Sequence, residues 1–205
     1  MKESHRAGLG LAVVVAGMAP LFTFPKADFA IASFIATTVM LGVALASGGY
    51  RRRFSPSVRT LAAGLLSAAL LYLVFLAGNQ LIVAYHPFGV GTQDESSIYG
   101  LIASPGNPLP LQVAVLTFDA LGFESYFRGT LQDRVRPRLG RAAPFAVAAV
   151  DALVHVASFN PLWVGATFVV DSAWGLTYYR TRDLSSSMAS HFLWDLAIFV
   201  IWPVT

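Results

Sequence analysis

The chain has 205 residues, 56% apolar and 12% charged, and it contains no cysteine. This composition excludes an ordinary soluble domain, and the missing cysteines exclude disulfides, thiolate metal sites and a cysteine nucleophile. The formal net charge of +3 does not indicate nucleic-acid binding, because the arginines lie in short gaps between apolar runs and form no exposed basic stripe.

Seven apolar runs of roughly membrane-crossing length follow one another along the chain. Their approximate ends are Gly8 to Phe24, Phe29 to Ser47, Leu61 to Tyr85, Leu109 to Leu131, Ala143 to Ser158, Leu162 to Tyr179 and Leu184 to Trp202. The sequence therefore predicts an all-α, polytopic transmembrane bundle of about seven spans in a single membrane domain, residues 1–205. Apolar spans and an outer loop occupy residues 1–108, and a four-helix core occupies residues 109–202.

The distribution of lysine and arginine predicts the orientation of this bundle. With seven spans, twelve of the fourteen basic residues fall on the face that holds the N-terminus, whereas the other face has only Lys26. The remaining basic residue, Arg128, lies inside a span. We expect a cytoplasmic N-terminus, a retained first helix because no clear cleavage site precedes Lys26, and a bacterial-type plasma membrane as the location.

Ionisable side chains are concentrated in the last four predicted spans, although each costs a few kcal/mol near the bilayer centre and therefore marks a candidate functional site. They are Asp119, Glu124, Arg128, Asp151, His155, Asp171, His191 and Asp195. Three pairs are four residues apart and share a helix face: Glu124 with Arg128, Asp151 with His155, and His191 with Asp195. Each pair alone is explained as a structural contact between helices, but three pairs on three helices favour one polar cavity with hydrolytic chemistry. Asp171 has no such partner and is interpreted as a helix-packing contact.

Three short motifs carry a resemblance to a known family. The chain has FESYFR at 123–128, DALVH at 151–155 and HFLWD at 191–195. Over roughly Leu109 to Trp202 it resembles the CPBP family of glutamic-type intramembrane proteases, also called the CAAX protease or bacteriocin-processing family, whose motifs are EExxxR, FxxxH and HxxxN or HxxxD. The resemblance implies an intramembrane endopeptidase in the lipid bilayer, acting on a membrane-embedded or membrane-anchored protein or peptide.

The resemblance also implies roles for individual residues. His155 is expected to act as the base or to position water, aided by Glu124, while His191 donates to the oxyanion and Asp195 orients its ring. Arg128 is expected to neutralise Glu124.

Two positions depart from the family pattern. Phe123 occupies the position of the first, water-activating glutamate and cannot accept a proton. Glu124 is expected to turn inward in its place, giving up Arg128, or else Asp119, one turn earlier and about 6 Å along the helix axis, supplies the carboxylate. Asp151 occupies the aromatic position of the second motif, where its carboxylate is able to hydrogen-bond the ring of His155 and raise its basicity.

Two other functions and one alternative cofactor stay open at this point. A catalytically inactive relative that acts as a membrane scaffold or chaperone is supported by Phe123. A proton-coupled transporter also uses intramembrane carboxylates and histidines, but the sequence has no detectable repeat and no paired interruptions of its spans. A catalytic zinc ion is a minority alternative, because two histidines with carboxylates make a ligand set although no HExxH motif is present. The preferred interpretation uses no cofactor.

Overall fold

The computed structural model describes residues 3–23, 29–47, 53–85, 98 and 108–204. Within these ranges the chain forms helices and no strands, which confirms the all-α prediction. Most of the predicted outer loop, 86–108, lies outside the described residues, as do Lys26, Arg51 and Arg52.

Eight α-helices follow in chain order. They are α1 (Glu3–Thr23), α2 (Phe29–Ala46), α3 (Val58–Tyr85), α4 (Leu109–Phe123), α5 (Asp133–Leu139), α6 (Ala143–His155), α7 (Pro161–Thr181) and α8 (Leu184–Asp195). Two π-helical segments, Glu124–Gln132 and Leu196–Ile201, continue α4 and α8, and 3₁₀ turns at Gly140–Ala142 and Val156–Ser158 flank α6. These are the helices of the described residues.

Three helical stretches in the described residues are long and apolar enough to cross a membrane: Val58–Tyr85, Leu109–Ser158 and Leu184–Ile201. Two shorter apolar stretches, Leu9–Phe22 and Ala30–Ala46, precede them. Together with the composition, they identify a membrane protein. On α3, the large apolar side chains that point away from the bundle are exposed, as expected for a surface that faces lipid.

The stretch Leu109–Ser158 contains a change of direction. As one straight helix its 50 residues would extend about 75 Å, more than twice the roughly 30 Å hydrocarbon thickness. Gly140 ends α5 with φ 53° and ψ −121°, a left-handed region that favours glycine. After this turn α6 packs back against the π-helical segment Glu124–Gln132.

Four helix pairs build the bundle: α1 with α2, α2 with α4, α3 with α8, and α6 with α7. One apolar cluster joins α1 and α2 to the π-helical segment through residues such as Met18, Met40 and Phe127. A second cluster joins α3, α7 and α8 around Trp174 and Trp194. α2 therefore packs on the elements that carry the first motif, α3 packs on the helix that carries the third, and α6, with the second motif, packs on α7.

The contact between α3 and α8 is close at Gly64. A Cβ atom at this position would lie 2.6 Å from the carbonyl oxygen of Ser186 and 2.8 Å from the Cβ of Ala189, both on α8. Small residues at a helix interface allow backbones in a membrane to approach in this way. The absent side chain of Gly64 thus sets the distance between α3 and the helix that carries His191.

We expect Gly64→Ala to destabilise the protein by about 1–3 kcal/mol, because the added methyl overpacks the α3–α8 interface. The measurement is the free energy of unfolding in detergent micelles. Gly78→Ala on the same helix is the matched control, since a Cβ there meets nothing within 4 Å. This control should be as stable as the parent or more stable, because alanine favours a helix over glycine by about 1 kcal/mol. Equal stabilities for the two variants would contradict the close contact.

Candidate active site

A cavity of about 500 Å³ lies between α3, α4, α7 and α8. Most of its lining is apolar, and its ionisable side chains are Asp119, Asp151, His155, Asp171, His191 and Asp195. Six of the eight ionisable residues that the sequence places in the spans thus reach one cavity. The other two, Glu124 and Arg128, are fully buried and do not line it.

His191 is held between two carboxylates. Its Nδ1 lies 3.1 Å from Oε1 of Glu124, and its Nε2 lies 3.3 Å from Oδ2 of Asp195. The ring also stacks on the indole of Trp174, with centroids 3.7 Å apart and planes inclined by 11°. Because carboxylate oxygens accept hydrogen bonds, a ring that carries both N–H groups satisfies both contacts. The orientation of His191 is therefore fixed on three sides.

Glu124 serves two partners at once. While Oε1 contacts His191, Oε2 lies 3.3 Å from Nε of Arg128. The sequence predicted that Glu124 would have to give up Arg128 in order to turn inward, and this prediction is wrong. A carboxylate has two oxygens with separate lone pairs, so one side chain bridges the arginine and the histidine.

Glu124 and Arg128 both belong to the π-helical segment Glu124–Gln132. Each turn of a π-helix contains more residues than an α-helical turn, and such segments are frequent at functional sites. Glu124 begins the segment and Arg128 lies within it, and both side chains are completely buried. The sequence pairing of these two residues assumed α-helical spacing, and the contact nevertheless forms.

Asp171 makes a packing contact between helices, in agreement with its interpretation from the sequence. Its Oδ1 lies 2.5 Å from Nη2 of Arg128, a buried ion pair between α7 and the π-helical segment. The spacing of charges within single helices could not reveal this partner, because it is on another helix. The sequence did hold one signal: Asp171 lies three residues before Trp174, on the same face of α7. Trp174, which stacks on His191, was likewise missed.

His155 has a different environment. Its Nδ1 hydrogen-bonds the backbone carbonyl of Asp151 at 3.0 Å, while the carboxylate Oδ1 of Asp151 is 3.6 Å away, in ion-pair range but beyond a hydrogen bond. A carbonyl only accepts, so Nδ1 carries the proton, and in the neutral ring Nε2 has a free lone pair. The rings of Phe22 and Trp163 flank His155, each at 5.4 Å between centroids.

Two buried carboxyl oxygens lie near His155. Oδ1 of Asp151 and Oδ2 of Asp171 are completely buried, and among the described residues no N–H or hydroxyl group donates to either oxygen. The two carboxyl groups lie within hydrogen-bond range of each other. Because buried polar atoms in proteins are nearly always hydrogen-bonded, a proton held by one carboxyl group is the donor that satisfies the other.

Asp119 faces the same cavity but is engaged elsewhere. Its Oδ1 accepts hydrogen bonds from Ser33 at 2.6 Å and Thr37 at 2.5 Å, and its Oδ2 accepts from Ser33 at 2.5 Å. These hydroxyls belong to α2, so the carboxylate joins α2 to α4. A general base needs a free lone pair directed at water, and the geometry of Asp119 favours a structural role.

Phe123 fills the space beside His191. Its ring centroid lies 5.9 Å from that of His191 at an angle of 70°, and 5.7 Å from that of Phe127. Phe123 also lines the cavity. Phe123, which the sequence motif aligned with the family's first glutamate, therefore lines the cavity with a ring that has no acid–base chemistry.

A metal ion has no evident ligand set in this arrangement. Among the residues that the structure describes, no three histidine, aspartate or glutamate side chains are placed to hold one ion. Both ring nitrogens of His191 already face carboxylates.

We expect the Arg128–Asp171 ion pair to contribute strongly to stability, because removing Asp171 leaves the buried charge of Arg128 with only Glu124 to compensate it. Asp171→Ala should cost about 3–5 kcal/mol of unfolding free energy. In a double-mutant cycle with Arg128→Met, the two losses should be non-additive by about 0.5–3 kcal/mol, measured by denaturant titration in micelles. Strict additivity would show that the two side chains do not interact.

Comparison with known proteins agrees with the motifs. Residues 105–197 match the family model described as type II CAAX prenyl endopeptidase Rce1-like. Comparisons with curated proteins and with solved structures gave no match. The matched segment contains the Glu124–Arg128, Asp151–His155 and His191–Asp195 pairs, so the chain carries an Rce1-like segment over residues 105–197, and its resemblance to the CPBP family is confirmed there.

Proposed function

We propose that the protein is an intramembrane endopeptidase of the CAAX type that hydrolyses a peptide bond in a membrane-embedded or membrane-anchored protein or peptide. The observation that carries this proposal is the convergence of His155 and the Glu124–His191–Asp195 chain of contacts at one largely apolar cavity. A hydrolase needs a base, an oxyanion donor and a site for an apolar substrate, and this arrangement supplies all three. Processing, sorting and self-immunity are compatible biological uses.

In the proposed mechanism His155 activates water. Nδ1 donates to the carbonyl of Asp151, so Nε2 accepts a proton from a water molecule as its oxygen attacks the scissile carbonyl carbon. The same nitrogen then returns the proton to the leaving amine. The carboxyl group of Asp151, with Oδ1 3.6 Å from Nδ1, stabilises the charge that forms on the ring.

His191 supplies the oxyanion donor in this mechanism. Its contact with Asp195 is the longer of the two at 3.3 Å, and Asp195 lines the cavity whereas Glu124 does not. The Nε2–H group of His191, which is directed at Asp195, is therefore the donor that can exchange this contact for a hydrogen bond to the substrate oxygen. Glu124 behind the ring keeps the opposite N–H engaged, and Trp174 fixes the plane of the ring.

The substrate and cofactor assignments follow from the cavity. Its apolar lining fits a hydrophobic peptide segment, and nothing in this sequence indicates a prenyl group, although the matched family is named for prenyl endopeptidases. The mechanism uses water and side chains and no metal cofactor. Activity that is lost in a chelator and restored by zinc would contradict this assignment.

The proposed topology has seven spans and a cytoplasmic N-terminus in a bacterial-type plasma membrane, with the catalytic core in residues 109–202. It is supported by the lysine and arginine distribution. Since the chain has no cysteine, single cysteines can report it. We expect Asp94→Cys to react with an impermeant maleimide in intact cells, and Arg138→Cys to react only after permeabilisation. Reaction of both from the same side would contradict the topology.

We expect His155→Ala and His191→Ala each to lower kcat/KM at least about 100-fold, because they remove the base and the oxyanion donor respectively. Cleavage is measured as new N-termini in membrane proteins co-reconstituted with the purified enzyme. Gly42→Ala serves as the control, since a Cβ at Gly42 meets nothing within 4 Å and Gly42 does not line the cavity. Unfolding midpoints of all variants are compared so that loss of fold is distinguished from loss of chemistry.

A catalytically inactive scaffold is the second candidate, and Phe123 is the observation that favours it. If the parent cleaves nothing but Phe123→Glu does, with Phe123→Gln still inactive, the site needs the family's first carboxylate and the natural chain is a scaffold. If the parent cleaves and the two histidine variants do not, the scaffold is excluded as the sole function. Unchanged activity in both histidine variants would contradict the proposed mechanism.

A further inference from the structure

A second cavity, of about 430 Å³, lies at one end of the bundle and is rich in arginine. Arg53, Arg136 and Arg182 line it together with Asp133. Arg53 precedes α3, Arg136 lies on α5, and Arg182 follows α7. We call these four residues the arginine pocket. Three connections between helices therefore meet at one concave, cationic surface that is separate from the histidine-lined cavity.

The arginine pocket has an excess of positive charge. Nε of Arg53 lies 2.5 Å from one oxygen of Asp133, and Nη1 of Arg182 lies 3.3 Å from the other. The hydroxyl of Tyr178 also donates to Asp133, at 2.7 Å. This carboxylate is thus saturated by three donors. Three guanidinium groups against one carboxylate leave two positive charges to be balanced.

The guanidinium groups are held in place before any ligand binds. Arg53 donates from Nη1 to the carbonyl oxygen of Gly129. Arg136 lies over the ring of Tyr179, with 5.3 Å from Cζ to the centroid, and Arg182 lies over that of Tyr178 at 5.7 Å. Both distances are within the cation–π range of about 6 Å, so each tyrosine ring attracts its guanidinium and restricts where it lies. Fixed arginine donors in this arrangement suit the oxygens of a phosphate group.

The surroundings of the pocket favour a lipid as the source of that phosphate. Leu139 lies in the chain between two lining residues, Pro137 and Gly140, and its side chain is 43% exposed. A phosphate in the pocket would therefore have apolar surface beside it, where acyl chains can lie. Basic pockets at the ends of membrane helices recognise anionic headgroups through these two contacts.

We propose that the arginine pocket binds the phosphate of an anionic phospholipid. The bound headgroup balances the two excess positive charges and connects the segment before α3, helix α5 and the α7–α8 connection. Because Arg53 also contacts the carbonyl of Gly129, the ligand stabilises the π-helical segment Glu124–Gln132 from outside. Binding at this pocket does not depend on whether the protein is an active peptidase.

The test uses the full-length protein in a neutral detergent, titrated with phosphatidylglycerol, phosphatidylcholine or inorganic phosphate, with lipid binding followed by native mass spectrometry. Arg136→Gln should weaken phosphatidylglycerol binding about tenfold, the effect of losing one charge-assisted contact. Arg138→Gln is the matched control, because Arg138 lies on the same helix, carries the same charge and does not line the pocket. Its affinity should stay within about twofold of the parent, since Arg138 is exposed and outside the pocket lining and contributes only an attraction that salt screens.

Arg136→Lys separates the effect of guanidinium geometry from the effect of charge. It is also the second variant for the binding test if Arg136→Gln does not fold. It keeps the charge but loses the planar fork, so it should bind phosphatidylglycerol several-fold more weakly than the parent. Equal binding of phosphatidylglycerol and phosphatidylcholine would overturn the proposal, as would equal losses in Arg136→Gln and Arg138→Gln. Binding of inorganic phosphate with the affinity of phosphatidylglycerol would show a free-phosphate site and overturn the lipid assignment.

Discussion

The guanidinium of Arg128 is a full charge with no access to water. The arrangement of the neighbouring helices depends on the compensation of this charge. An unpaired ion in a medium of low dielectric constant is too costly to keep, so carboxylates must reach it. Glu124 comes from the same π-helical segment and Asp171 from α7, which draws the two elements together. The second oxygen of Glu124 contacts Nδ1 of His191, so the position of Glu124 also restricts the position of that ring. The position of α8 in the site thus follows from charge compensation on a neighbouring element.

The two histidines are held by different kinds of acceptor, and this difference separates their chemistry. His191 faces a carboxylate at each nitrogen, which favours a ring that keeps both protons and acts as a donor. His155 donates a hydrogen bond from Nδ1 to a neutral carbonyl and keeps a lone pair on the other nitrogen. A base and a donor result from the same side-chain type. In the proposed reaction, the division of labour is thus determined by hydrogen-bond partners and not by the imidazole itself.

Contacts within one helix could be predicted from the sequence, and contacts between helices could not. Spacing of four residues identified Glu124 with Arg128 and His191 with Asp195, because a helix brings such residues to one face whatever surrounds them. The Arg128–Asp171 pair and the hydrogen bonds of Asp119 to Ser33 join segments that are distant in sequence. Those contacts depend on how the helices pack, and a single sequence has no periodic signal for that.

The all-α class was also predictable, since apolar runs of membrane length leave little alternative to helices. The change from α4 to a π-helical segment at Glu124 could not be predicted, because nothing in the local sequence distinguishes this segment from an α-helix. A π-helical register is selected by tertiary contacts, here the burial of Glu124 and Arg128, and it is invisible to composition. The helices could therefore be predicted from local sequence, whereas their exact phase at the site depends on the assembled bundle.

The hydrogen bond from His155 to the carbonyl of Asp151 has a consequence for how the site tolerates sequence change. The acceptor belongs to the main chain, and every residue type offers the same carbonyl at that point of α6. Side-chain identity at position 151 is thereby uncoupled from the tautomer of His155, and a phenylalanine or an aspartate preserves it equally. What must be kept is the four-residue interval and the helical backbone that spans it. For the tautomer of His155, the second motif therefore specifies backbone geometry, and the side chain of Asp151 acts separately, on the charge of the ring.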